Sequence, residues 1–415
     1  MKKTPPMGWN SWDCYGASVT EAIVRQNAET MAKLLKPFGW EYVVVDIQWY
    51  EPSAKSHAYI PFTELCMDEY SRLLPAENRF PSAAGGKGFG PLAEYVHSLG
   101  LKFGIHIMRG IPRQAVHRDT KILGSAKTAR QIAKTDSICH WNTDMYGVDP
   151  TKEGAKEYYD SLFRLYAEWG VDFVKCDDIA RELPHEESEM VLISDCLRRC
   201  GREMALSLSP GPALLEKAEL YKQTATMWRM TDDFWDNWPA LYAMFERCEK
   251  WTVHNGAGHW ADADMLPVGA IKQDCSPDLW TEFTQDEQIT MMTLWCIFRS
   301  PLMVGGDLPQ NDEWTLSLLT NAEALAANQE GSHPRMLGKD KTFRLWMSDA
   351  PDGGYYLAGF NLAGESAELP FDAELIGVAG MKARDVWKHE DLGPVAQNAS
   401  VALPAHGSFL WKLSR

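Results

Sequence analysis

A chain of 415 residues is too long for one ordinary domain and fits one barrel-sized domain plus a smaller one. With 45% hydrophobic residues, 24% charged residues and 17 tryptophans it can bury a large core and still show aromatic surface, which excludes a disordered chain and suits an enzyme or a carbohydrate binder. A net charge of -16 argues against nucleic acid and anionic membrane as partners, because those require clustered Lys and Arg, and favours small neutral substrates.

The chain opens on MKKTPPMGWNSW, whose two lysines lead into prolines and polar residues rather than the apolar core of a secretory signal. No run approaches the ~18 apolar residues of a membrane span. The expectation is a cytoplasmic protein. Nine cysteines scattered without CxxC pairs read as reduced, mostly buried thiols rather than a disulfide frame or a zinc site.

From residue 1 to about 330, short β-branched or aromatic runs alternate with helical patterns. The runs are MGWNSW, EYVVVD, LKFGIHI, VDFVKCD, EMALSLS, TMWRMT, the stretch around HWADADML, and SPLMVG. Apolar residues recur at i, i+3 and i+4 over 20–35, 90–100, 153–170, 187–201 and 312–328, and several of these helices end in Gly. Eight βα units predict a (β/α)8 TIM barrel over residues 1–330, with any active site at the C-terminal ends of its strands. GGKGFG (85–90) looks like a phosphate loop but lacks a preceding strand, so it reads as a turn before a helix. Residues 108–152 form a long irregular insertion after the third strand, either shaping the site or running over the surface. Its Arg109 and Arg113 read as solvated loop arginines. Beyond 330 the pattern becomes TFRLWMSD, GYYLAGFNL, MKARDVWKH and SVALPAHGSFLWKL, separated by turn residues, which predicts a C-terminal antiparallel β-sandwich over 331–415 that packs on the barrel.

Candidate chemistry collects at the strand ends. In VDFVKCDD, Lys175 and Asp177 are two apart and share a strand face, so an ammonium stands beside a carboxylate and keeps it ionised. In WRMTDDFWDNW, Arg229 ends a strand and is followed by Asp232 and Asp233, either of which could supply a proton while the other caps the next helix. A carboxylate pair on neighbouring strand ends is the arrangement of retaining glycosidases. The histidines show no metal-ligand spacing, and His106 and His259 read as structural or sugar-bonding.

TPPMGWNSW, the strand ending in Asp46, WGVDFVKCDD, WRMTDD, DADMLPVG and SPLMVGGDL, in this order, resemble glycoside hydrolase family 27, the α-galactosidase and α-N-acetylgalactosaminidase family. The likeness runs from residue 4 to about 330, and the sandwich tail fits the same plan. It implies a retaining double displacement on the barrel with no metal and no organic cofactor. Asp177 matches the nucleophile. Asp233 matches the acid/base, because the family's arginine precedes that acid by four residues. Trp12, Asp46, Lys175, Arg229 and Asp264 match sugar-binding positions, and Ile47, Trp49, His106 and Ser209 complete the expected sugar-contacting set. His106 stands where tyrosine is common, and SLSPGP (207–212) replaces a tryptophan-containing loop that reads the sugar's 2-position. Gln48 and Ile179 stand where the family's secreted members carry cysteine, which fits a reducing compartment.

The most telling departure is Ile47. Galactose-specific members read Asp-Asp here, whereas this chain reads Asp46-Ile47. A hydroxymethyl group facing isoleucine loses its hydrogen-bond partner and is crowded, while a sugar without C6 meets an apolar wall. L-arabinopyranose in the β configuration is α-D-galactopyranose with that group removed, and the family includes β-L-arabinopyranosidases. The expected function is an exo-acting β-L-arabinopyranosidase on small oligosaccharides or glycosides, ahead of α-galactosidase and α-N-acetylgalactosaminidase. A homo-oligomer stays open.

Overall fold

The computed structural model describes residues 4–55, 57–181 and 186–415; the first three residues of the N-terminal segment read above lie outside them. Eight short strands carry the barrel: β1 (Met7–Asn10), β2 (Tyr42–Val45), β3 (Lys102–Met108), β4 (Phe173–Asp177), β5 (Ala205–Leu208), β6 (Met227–Arg229), β7 (Trp260–Asp262) and β8 (Leu302–Val304). All pair in parallel, in the order β7-β6-β5-β4-β3-β2-β1-β8. The ring closes just beyond β7, where Leu266 bridges Val304 and exchanges backbone hydrogen bonds with Met303 and Gly305. Strands buried on both faces read as continuous apolar runs, which is why β2, as Tyr-Val-Val-Val, stands out in the sequence.

The helix Ala155–Trp169 buries Tyr158, Tyr159, Leu162, Phe163, Tyr166 and Trp169 along one stripe and stops at Gly170, which adopts φ 82°. Gly88, in the glycine-rich turn before the helix Gly90–Ser98, leaves room for the Trp169 indole, which a Cβ there would overlap. The helix expected over 312–328 is two helices, Glu313–Leu319 and Ala322–Glu330. The break falls at Asn321, whose side chain accepts from the Glu323 and Ala324 amides. The helix Gln285–Phe298 shows no apolar stripe in the sequence because nearly every side of it is buried. Its start is fixed by a capping box, Thr284 with Glu287.

The insertion is more ordered than expected. Ile111–Pro112, Met145–Val148 and Ala133–Ile138 form a small antiparallel sheet with two short helices. From Ser332 onward a six-stranded antiparallel sheet faces a two-stranded one, Ala367–Asp372 with Asn398–Leu403, across a core that includes Leu345, Leu357, Leu369 and Leu413. The other face of the larger sheet carries Trp346, Tyr356, Phe360 and Leu410 into the barrel's own core. Polar contacts fix this docking: Trp387 Nε1 donates to Thr293 Oγ1 at 2.8 Å, and Thr290 Oγ1 donates to the His406 carbonyl at 2.7 Å. Among the described residues no helix is long and apolar enough to cross a membrane.

Candidate active site

At the C-terminal ends of the barrel strands lies a cleft of about 290 Å3, lined by Trp12, Asp46, Ile47, His57, Tyr59, His140, Trp141, Lys175, Asp177, Arg181, Pro210 and Asp233. A larger depression of about 1060 Å3 opens at the other end of the strands, but its Lys102 and Arg202 are already paired with Glu41 and Asp172. The cleft of interest is the smaller one.

β2 and β4 deliver the first set of charges. Lys175 Nζ lies 2.8 Å from Asp46 Oδ2, which also accepts from Asn10 Nδ2 at 2.8 Å, while the Ile47 amide donates to Asp46 Oδ1 at 2.9 Å. Burial alone would raise the Asp46 pKa, yet Lys175 and its hydrogen bond bring it below the usual carboxylate range. Asp177 behaves likewise. Burial opposes its charge, but His106 Nε2 at 3.0 Å, the Lys175 ammonium and the Asp178 amide at 3.0 Å hold it well below the ordinary value. Lys175, buried between two carboxylates, is held charged by Asp46 and Asp177 against the desolvation that would neutralise it.

The second carboxylate arises from β6. Arg229 bridges two acids, reaching Asp264 Oδ2 at 2.7 Å and Asp233 Oδ1 at 3.0 Å. Asp233 is half exposed, whereas Arg229 is buried. Asp264 also accepts from the Phe234 amide at 2.8 Å, so it anchors the turn that carries Asp233. Beneath it burial and the neighbouring Asp264 push Asp262 up to about 7. Neither Asp232 nor Asp233 caps the following helix; Asn237 does, accepting from the Ala240 amide. Asp232 instead turns outward and pairs with Arg181 at 2.8 Å. Three non-glycine residues at these strand ends, Gln48, Asp178 and Asp264, take left-handed φ values of 61°, 60° and 81°, strain of the kind that collects where side chains must be aimed.

Trp12, Asp46, Ile47, Lys175, Asp177 and Asp233 thus meet on the cleft wall. His106 and Arg229 stand behind the carboxylates they contact, and Asp264 behind Arg229. Trp49 and Ser209, also expected beside the sugar, stand off the cleft wall too. Trp49 does not reach the cleft: the left-handed turn at Gln48 sends its indole against Phe89 and Trp169, with Nε1 donating to the His106 carbonyl at 2.7 Å. Ser209 is 1% exposed and ties β4 to β5 through its backbone, while Pro210 reaches the cleft in its place. The expected solvation of Arg109 and Arg113 is corrected. Arg109 is 3% exposed and its guanidinium meets Asp178 Oδ2 at 2.9 Å, Glu189 Oε2 at 3.3 Å and Glu186 Oε2 at 3.4 Å; Arg113 stacks on Tyr146. His57, Tyr59, His140, Trp141 and Arg181 were missed because they come from loops; the aromatic density of the insertion was the one available signal for Trp141.

A closed barrel whose C-terminal rim presents two carboxylates, a buried lysine and aromatic rings around a sugar-sized cleft defines a glycoside hydrolase. Residues 150–330 match the family described as alpha galactosidase A, and residues 340–413 match the alpha galactosidase C-terminal beta sandwich domain. The chain is 60% identical to a β-L-arabinopyranosidase from Geobacillus stearothermophilus, with a TM-score of 0.97 over 100% of this chain and 97% of that one. It is 54% identical, with a TM-score of 0.90 over 99% and 97%, to a Bacillus halodurans protein provisionally described as an α-N-acetylgalactosaminidase. An α-galactosidase of Coffea arabica is 28% identical over 99% of this chain and 94% of its own length. The chain belongs to glycoside hydrolase family 27.

Proposed function

We propose that the protein is an exo-acting β-L-arabinopyranosidase that works with retention of configuration. The observation that carries this reading is Ile47, which borders the cleft beside Asp46 and is 2% exposed, so the wall next to the sugar-gripping acid is apolar. The 60% identity to an arabinopyranosidase supports it independently.

In this reading Asp177, kept ionised by His106 and Lys175, attacks the anomeric carbon while Asp233 gives its proton to the departing oxygen. A covalent glycosyl-enzyme results. Asp233 then takes a proton from water, which attacks the same carbon and frees Asp177. Asp46 and Lys175 act as acceptor and donor for the sugar hydroxyls, Trp12 offers a ring face, and Arg229 and Asp264 hold Asp233 in place. Residues 1–330 act as the catalytic unit and 331–415 as a stabilising one. Residence in the cytoplasm is supported by nine cysteines that are all free, six of them buried.

Early-time NMR of the hydrolysis of an aryl β-L-arabinopyranoside tests both parts. β-L-arabinopyranose as the first product supports the reading; the α anomer first would sink the mechanism, and no hydrolysis would sink the substrate.

A further inference from the structure

His57 follows β2 in a rim loop, and Asp274 and Cys275 follow β7 in another; the fold brings them together. His57 Nε2 lies 3.0 Å from the Trp12 carbonyl oxygen. A carbonyl only accepts, so Nε2 carries the proton, and in the neutral ring Nδ1 then presents a bare lone pair. That lone pair faces Asp274 Oδ2, a second acceptor, at 3.1 Å. The Asp274 side chain is 1% exposed, and apart from His57 and Cys275 neither of its oxygens has a hydrogen-bond partner among the described residues. Two acceptors so close repel unless a cation or an extra proton lies between them.

The third side is occupied by sulfur. A ring nitrogen of His57, a carboxylate oxygen of Asp274 and Cys275 Sγ all lie within 4.8 Å of one another. In a tetrahedral zinc site with bonds of about 2.0 to 2.3 Å, ligand atoms stand about 3.3 to 3.8 Å apart, so small side-chain rotations close the difference. The Nε2–carbonyl contact is the outer bond that metal-ligating histidines make, fixing the tautomer that leaves Nδ1 free to bind.

We propose that His57, Asp274 and Cys275 form a binding site for a thiophilic divalent cation of the zinc type, with water completing the shell. Imidazole and thiolate favour such an ion over magnesium or calcium. The site is structural. His57 packs edge-on against Trp12, with ring centroids 4.8 Å apart, and against Trp235 at 5.8 Å, so the ion pins the aromatic rim of the cleft and supplies nothing to bond cleavage.

The test uses the full-length protein, freed of metal by a chelator and titrated with Co2+ and Zn2+. The wild type is expected to bind one ion and to develop the absorption of a thiolate bound to Co2+. Cys275→Ser is expected to lose that absorption and to bind Zn2+ at least about tenfold more weakly. Because Cys275 is exposed and outside the cleft, the variant should hydrolyse substrate in metal-free buffer at the wild-type rate. Zn2+ should raise the Tm of the wild type and not of Cys275→Ser. An absent thiolate band in the wild type, as a simple imidazolium–carboxylate pair would give, overturns the proposal. So does an undiminished band in Cys275→Ser, which would point to another thiol.

Discussion

Ile47→Asp should convert sugar preference. Ile47 is 2% exposed, borders the cleft and sits one residue beyond Asp46, whose Oδ2 is already taken by Lys175 and Asn10. A site that crowds a hydroxymethyl group and offers it no partner discriminates by about 1 to 3 kcal/mol, or roughly 5- to 150-fold in kcat/KM. Aspartate removes the crowding and supplies an acceptor, so the galactoside should gain by a factor in that range. The arabinopyranoside should lose activity, because it then faces an unfilled, charged pocket. The substitution also withdraws a buried aliphatic side chain, worth about 1.5 to 3 kcal/mol, and places a second carboxylate beside Asp46, so Tm should fall. Ile47→Ala separates the two effects: it makes room without an acceptor and should give the galactoside only part of the gain. The assay is kcat/KM for p-nitrophenyl β-L-arabinopyranoside and α-D-galactopyranoside, compared as a ratio so that loss of folded protein cancels. If Ile47→Asp lowers both activities in proportion, Ile47 is only a core residue just beyond its strand and does not set the sugar preference.

Asp177→Ala should lose most turnover and be rescued by azide with an inverted product, whereas Asp233→Ala should keep part of the first step on good leaving groups and give a retained azide product; the reverse pattern, or an inactive Asp232→Ala enzyme, refutes the assignment. Because Asp262 titrates near 7 when folded, above the ordinary carboxyl range, the folded state binds the extra proton and stability should fall as pH rises from about 4 to about 7. Asp262→Asn should flatten that part of the Tm-against-pH curve, and an unchanged slope would contradict the linkage. Arg109→Ala removes the cation shared by the buried Asp178, Glu186 and Glu189 and should cost about 3 to 5 kcal/mol in denaturant unfolding, with a loss well below 1 kcal/mol showing that the cluster does not depend on it.

The barrel was legible because parallel strands buried on both faces read as apolar runs, and a run that ends in charge, such as Tyr-Val-Val-Val before Asp46 or Phe-Val before Lys175, marks the catalytic rim. The same period-two reasoning put Lys175 and Asp177 on one face. Trp49 lies off the cleft because the chain turns through a left-handed Gln48 just before it, and no local pattern announces that turn. Arg109 was misjudged for another reason. Its partners Glu186 and Glu189 lie at the start of a helix far along the chain, so its burial is a tertiary fact. The helix Gln285–Phe298 gave no stripe because it is enclosed by the barrel and the antiparallel sheet together. The loop residues around the cleft mouth, Tyr59 and Trp141 among them, meet only once the barrel closes and the insertion folds over it, with their rings 5.8 Å apart.

The most direct test of the substrate assignment is the wild-type kcat/KM on p-nitrophenyl β-L-arabinopyranoside, α-D-galactopyranoside and N-acetyl-α-D-galactosaminide, measured side by side. The apolar wall at Ile47 predicts that the arabinopyranoside leads the galactoside by at least about fivefold. A wild-type enzyme that prefers the galactoside or the N-acetylgalactosaminide contradicts the account.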